Sequence, residues 1–188
     1  MTEVLLFNHA LGVTEGVRAF AERLRGGGHQ VTVGDLFQGQ TFDAIEPGVE
    51  FEESIGWEEM KARSEAIASD LPPNIVYGGF SLGAVYAQRL AQTREGALGA
   101  LLYHAGDVPA AEFGAPWPTG AGLQIHVAEE DPYFDREGGN ALAAESGGEL
   151  FLYPGSAHLF TDNSWTEYDP ASTEVVIERS IQLLDRVG

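Results

Sequence analysis

Short apolar runs and amphipathic stretches alternate along the whole chain. The runs at 3–8, 30–34, 75–80, 98–104, 122–128 and 149–153 are brief and nearly continuous, which predicts strands buried on both faces. Between them apolar residues recur at helical spacing, as Val17, Phe20, Ala21 and Leu24 do on one face of a helix over 14–25. Further helices are predicted over 54–69, 82–93, 137–146 and 170–186. Gly26-Gly27-Gly28 ends the first of them and turns the chain toward the second strand. Strand and helix in regular alternation predict a mostly parallel, doubly wound sheet of about six strands with helices on both faces, an α/β fold.

Three longer connections break the rhythm, at 35–53, 105–121 and 154–169. Each follows a predicted strand, so each is expected at the C-terminal edge of the sheet, where such folds bind ligands. Phe37, Phe42, Trp117, Phe160 and Trp165 lie in these segments and are candidates either to line a pocket there or to pack their loops onto the body.

A chain of 188 residues is long enough for one domain with a sizeable core, and residues 1–188 are read as one. The longest apolar runs, such as Val4-Leu5-Leu6-Phe7, are far too short to span a bilayer. Met1-Thr2-Glu3 leads directly into that run with no basic stretch or cleavage site, so a cytoplasmic location is expected. Cysteine is absent, which excludes disulfides, thiolate metal sites and a cysteine nucleophile. With 29 acidic groups against 10 basic ones the net charge is -19, and Lys61 is the single lysine. Nucleic acid is therefore an improbable partner, and anionic substrates meet a repulsive field.

Candidate chemistry concentrates at Gly79-Phe80-Ser81-Leu82-Gly83, a G-x-S-x-G between the apolar Ile75-Val76-Tyr77 and the helical Ala84–Leu90. Strand, tight turn and helix in that order make a nucleophile elbow, which raises a serine Oγ above a parallel sheet and at the N-terminus of a helix. A serine needs a base, and the base an orienting acid. His158 follows the last predicted strand and Asp131 the one before it, so Ser81, Asp131 and His158 occur in the order of α/β-hydrolases. Among the other histidines, His104 ends a strand and is the rival base, His126 sits within a strand, and His29 is expected in solvent. Asp107 is the rival acid. An oxyanion hole would be formed by the backbone N–H groups of Leu82 and Ala10, the latter in the loop Asn8-His9-Ala10-Leu11-Gly12 after the first strand.

Asn8–Gly12, Gly34–Phe37, Gly79–Gly83, Glu129–Asp131 and Gly155–Phe160 together, in this order and approximate spacing, resemble the dienelactone hydrolase family. The resemblance runs from the first strand to the last helix. It implies a minimal α/β-hydrolase with Ser81 as nucleophile, Asp131 and His158 as its partners, and Ala10 with Leu82 at the oxyanion hole. Two positions depart from the family: Ser81 stands where well-studied members carry cysteine, and His9 where they carry a modulating glutamate. Those members bind a substrate carboxylate with arginines, one of them four residues after the catalytic histidine, and here that position is Asp162. His9, His104 and Asp162 thus join Phe37, Trp117 and Phe160 as pocket candidates, with Asp162 expected to disfavour an anionic substrate.

The sequence therefore predicts a serine hydrolase of an uncharged ester, lactone or related small acyl substrate, working through an acyl-enzyme without metal or organic cofactor. The alternative from another class is a binding or regulatory protein that keeps the fold without turnover. A flavodoxin-like domain is disfavoured, because Asn8-His9-Ala10 is not a phosphate-cradling loop.

Overall fold

The computed structural model describes residues 1–188. Six strands, β1 (Glu3–Phe7), β2 (Gln30–Gly34), β3 (Val76–Phe80), β4 (Gly99–Tyr103), β5 (Gly122–Ala128) and β6 (Glu149–Tyr153), form one sheet in the order β2-β1-β3-β4-β5-β6. Every neighbouring pair is parallel, so the fold is an all-parallel α/β sheet.

Successive strand residues point to opposite faces, and each face buries its own set. On one side Val4 and Leu6 pack with Val17, Phe20 and Leu24 of α1 (Glu15–Gly26) and with Val176, Leu183 and Leu184 of α6 (Pro170–Val187). On the other, Leu5, Phe7 and Tyr77 meet Met60 of α3 (Trp57–Ser69), Ala84, Ala87 and Leu90 of α4 (Leu82–Thr93), and Leu142 of α5 (Arg136–Ser146). A fully buried Val, Leu or Phe contributes about 1.5–3 kcal/mol, so burial of these two faces is what holds helices to sheet. Side chains cap three of the helices: Thr14 accepts from the Val17 N–H at the start of α1, Asp135 from that of Glu137, and Asp169 from those of Ala171 and Ser172.

The predicted strands match the observed ones to within one residue at each end, but the segment 35–69 does not follow the reading. A separate helix, α2 (Ile45–Ile55), occupies the end of the expected loop, and Gly56 at φ 83° divides it from α3. A short 3₁₀ turn at Ala110–Phe113 lies in the loop after β4. His29, expected in solvent, is buried, and its Nδ1 accepts the Thr2 N–H at 3.3 Å.

The chain passes from β1 outward to β2, then returns across β1 to β3. The loops after β1 and β3 therefore diverge to opposite sides, and the crevice between those strand ends is where an open α/β sheet accepts a ligand.

Candidate active site

Strand β3 delivers Ser81 directly into that crevice. Its backbone has φ 50° and ψ -119°, a sparsely populated conformation for a residue with a side chain, at a cost of roughly 1–3 kcal/mol. The Ser81 N–H donates to the Tyr103 carbonyl at 2.7 Å, and its own carbonyl accepts from the Ala84 N–H at 2.9 Å. The flanking glycines are needed for proximity: a Cβ on Gly79 would lie 2.3 Å from the Gly83 carbonyl oxygen, and one on Gly83 would lie 2.2 Å from that of Asn8. The second contact seats the loop after β1 against the first turn of α4.

His158 approaches from the loop after β6. Its Nε2 is 2.8 Å from Ser81 Oγ, and its Nδ1 lies 2.8 and 3.0 Å from the two carboxylate oxygens of Asp131. Asp131 and His158 are buried, while Ser81 is partly exposed. The Tyr133 N–H donates to Asp131 Oδ1 at 2.9 Å, and the Tyr133 ring, 54% exposed, lies with its centroid 4.5 Å from that of His158. Nothing in the sequence singled out Tyr133, although Asp-Pro-Tyr is a turn that returns its third residue over the first.

The turn after β1 is braced internally. Gly12 N–H donates to the His9 carbonyl at 2.9 Å, Asn8 Nδ2 donates to the same oxygen at 2.8 Å, and Asn8 Oδ1 accepts from the Leu36 N–H at 2.9 Å. Helix α2 presses on this turn, because a Cβ on Gly48 would lie 1.8 Å from the Ala10 carbonyl oxygen. Ala10 is buried within the turn, and Leu82 opens α4, whose first N–H groups and dipole favour negative charge beside Ser81.

Several candidates lie elsewhere than expected. Asp162 does not face a substrate: it is 3% exposed, with Oδ2 2.8 Å from His9 Nε2 and 2.5 Å from Thr14 Oγ1, and Oδ1 accepting from the Ser164 N–H and hydroxyl at 2.8 and 2.6 Å. Burial opposes its ionisation, yet the bonds from His9, Ser164 and Thr14 outweigh that and hold the carboxyl well below the usual carboxylate range. His9 is equally buried. His104 is buried at φ 60°, its Nε2 2.7 Å from Thr161 Oγ1 and its Nδ1 without a partner, and burial together with the neighbouring His158 and His9 pushes it well below its usual value. His126 is structural, bonded to Tyr153 Oη at 2.8 Å and pushed down to about 3 by burial.

Among the aromatics, Phe37 is core, edge-on to Phe42 and Phe51, and Phe160 is buried edge-on to His104. Trp117 sits at the wrong end of the sheet: its Nε1 donates to the Ala121 carbonyl at 2.9 Å, just before β5 begins. Phe42 and Trp165 do line a groove of about 480 Å³ beside the turn, with Leu11, Val13, Thr41 and Ser164. A larger groove of about 710 Å³ runs along the opposite edge, past Gly122 and Glu149 at their strand starts, away from Ser81. The rival acid Asp107 accepts the Asp135 N–H at 2.8 Å instead of facing His158. No group of three or more His, Asp or Glu side chains is gathered to hold a metal ion. No helix is long and apolar enough to cross a membrane.

The model of the dienelactone hydrolase family matches residues 1–188. Among solved structures, a dienelactone hydrolase-like promiscuous phosphotriesterase from metagenomic libraries superposes with a TM-score of 0.77 at 18% identity, over 100% of this chain and 87% of its own. A dienelactone hydrolase of Anabaena variabilis gives 0.68 at 16% identity, over 99% and 87%. A carboxyl esterase of the fungus Tuber melanosporum gives 0.65 at 13% identity, over 100% and 79%. At these identities the likeness establishes the α/β-hydrolase fold. No curated protein matches the chain in sequence.

Proposed function

The chain belongs to the dienelactone hydrolase family of ester and lactone hydrolases, and we propose that it cleaves an uncharged ester, lactone or related acyl bond through an acyl-enzyme formed on Ser81. The observation that carries this reading is the unbroken chain from Ser81 Oγ to His158 Nε2 and from His158 Nδ1 to Asp131, with 2.8 Å at each link. Asp131 accepts from Nδ1–H, which leaves a lone pair on Nε2 to take the serine proton. As Oγ attacks the carbonyl carbon, negative charge develops on the carbonyl oxygen, and the N–H groups of Ala10 and Leu82 receive it. The imidazolium, stabilised by Asp131, returns its proton to the departing alkoxide as the acyl bond breaks. Water then enters, gives its proton to His158 and attacks the acyl-enzyme, and Ser81 leaves with a proton from the imidazolium.

The preference for an uncharged substrate rests on the net charge of -19, not on Asp162, which is enclosed. A cytoplasmic setting is part of the same proposal. The test is a screen of short-chain p-nitrophenyl esters and lactones with wild type and Ser81→Ala. Loss of a triad member costs on the order of 10⁴- to 10⁶-fold in kcat, so a variant that kept more than about a tenth of the activity would remove Ser81 from the mechanism. A wild type inert toward every ester would favour the binding-protein alternative.

A further inference from the structure

Two successive residues of the loop that carries His158 are each held by a buried histidine. His104, immediately after β4, is bonded to Thr161, and His9, two residues after β1, is bonded to Asp162. Strands β1 and β4 lie on either side of β3, which ends at Ser81. The two rings flank Phe80, with centroids 6.0 and 6.2 Å from it. Neither is hydrogen-bonded to Ser81 or His158, so the hydrolytic steps leave both without a role.

The His9 ring is committed at both ends. Nδ1 accepts the Leu11 N–H at 3.2 Å, which puts the ring proton on Nε2, where it is donated to Asp162. One nitrogen thus shapes the turn that holds Ala10, and the other grips the loop that holds His158. Space around the carboxylate is equally specific: a Cβ on Gly16 would lie 1.7 Å from Asp162 Oδ1, so the start of α1 closes over it. Apolar side chains could fill this volume, but they would not fix the two loops in direction and register as a satisfied buried hydrogen-bond network does.

We propose that His9 and Asp162 form a positioning latch, which holds the oxyanion turn in register with the loop of the general base and thereby sets kcat while leaving substrate affinity alone. The inference rests on the assignment of Ser81, His158 and Ala10 made above. A carboxylate here is an anchor within the protein, the reverse of a substrate-facing group.

The two ends of the His9 ring can be separated by substitution. Gln keeps a donor near the position of Nε2 and loses the acceptor for Leu11; Asn keeps that acceptor and loses the donor for Asp162. His9→Asn and Asp162→Asn should each lower kcat on a p-nitrophenyl ester by about 10- to 100-fold, the range for small misplacements of reacting groups, with KM within about threefold. His9→Gln, which keeps the bond to Asp162 and gives up only the one from Leu11, should lose several-fold less kcat than His9→Asn, and the double variant His9→Asn/Asp162→Asn should lose no more than either single one. Thermal unfolding of every variant, with assays run well below the lowest midpoint, separates misplacement from partial unfolding, and His9→Gln provides the reading if Asp162→Asn does not fold. Wild-type kcat in both Asn variants, KM rising in step with the loss, or equal losses in His9→Gln and His9→Asn would each overturn the latch. A Ser81→Ala control that retains activity would instead overturn the assignment beneath it.

Discussion

A glycine in the middle of a helix normally invites replacement by alanine, which gains about 0.5–1 kcal/mol through lower backbone entropy in the unfolded chain. Gly48 of α2 should behave in the opposite way. Its added Cβ would lie 1.8 Å from the Ala10 carbonyl oxygen and 2.6 Å from the carbonyl carbon, where ordinary contact begins near 3.4 Å. Both contacts are backbone, so no side chain can swing aside, and helix and turn must part by about 1.5 Å. Overpacking of this kind costs about 1–3 kcal/mol, and in a chain of this length 1 kcal/mol moves the midpoint by about 2–4 °C, so Gly48→Ala should lower Tm by roughly 3–10 °C. The same displacement shifts the N–H that receives the oxyanion. A misplacement near 1 Å is worth about 100-fold in rate and a lost oxyanion donor about 10²- to 10³-fold, so kcat should fall by about 100-fold. The assay is ester hydrolysis alongside thermal unfolding, with Gly26→Ala as control, since nothing lies within 4 Å of its Cβ position. That variant should unfold at or slightly above the wild-type temperature with unchanged kcat. A Gly48→Ala protein with raised Tm and wild-type kcat would refute the account of α2 as the wall behind the oxyanion turn.

Asp131→Asn should lower kcat by about 10⁴-fold through the wrong imidazole tautomer, whereas Asp107→Asn should change it by less than about threefold; the reverse ranking would move the acid to the loop after β4. Tyr133→Ala should raise KM for aryl esters by about 2- to 10-fold and leave alkyl esters less affected, as expected of an exposed ring that offers a stacking surface beside His158, and identical KM values for both classes would count against that. Stability should decline as pH falls from about 6.5 toward 5, above the carboxylate range. His104 and His126 stay neutral in the folded protein, the latter pushed down to about 3, while the unfolded chain binds protons below about 6.5, so the stability present above that pH is lost on acidification. The loss should approach about 1.4 kcal/mol per pH unit for each histidine; urea unfolding at the two ends of this window measures it, and equal stability at both would contradict the buried neutral state.

The sheet was legible because its central strands are short, nearly continuous apolar runs bounded by glycine or polar residues, as burial on both faces requires, while the edge strands β2 and β6 are only half-buried. Five of the six helices were legible from apolar positions at helical spacing, and Thr14, Asp135 and Asp169 cap three of them. Helix α2 was not: Ala44 offers no side-chain cap, and Pro47 with Gly48 in its first turns reads as loop, although Pro is compatible with the start of a helix. Trp117 was assigned to the wrong edge because the loop after β4 must travel from the C-terminal end of that strand back to the beginning of β5, so its last residues leave the crevice. That Ser81, Asp131 and His158 would meet could be expected from their order, since parallel strands bring their C-terminal ends together. The enclosure of Asp162 could not be anticipated, because His9 and Asp162 are 153 residues apart and only the packed loops reveal that the carboxylate turns inward. Resemblance supplied the position of Asp162 and suggested a substrate contact, while burial and its donors assign it to the scaffold.

The proposed mechanism requires Ser81 to be the nucleophile, activated by His158. Reaction of the wild-type protein with a fluorophosphonate, followed by intact mass and peptide mapping, tests it most directly. A single adduct on Ser81 is expected, none in Ser81→Ala, and labelling slowed by orders of magnitude in His158→Ala. An adduct on any other residue, or ester hydrolysis by a protein whose Ser81 stays unmodified under saturating probe, would contradict it.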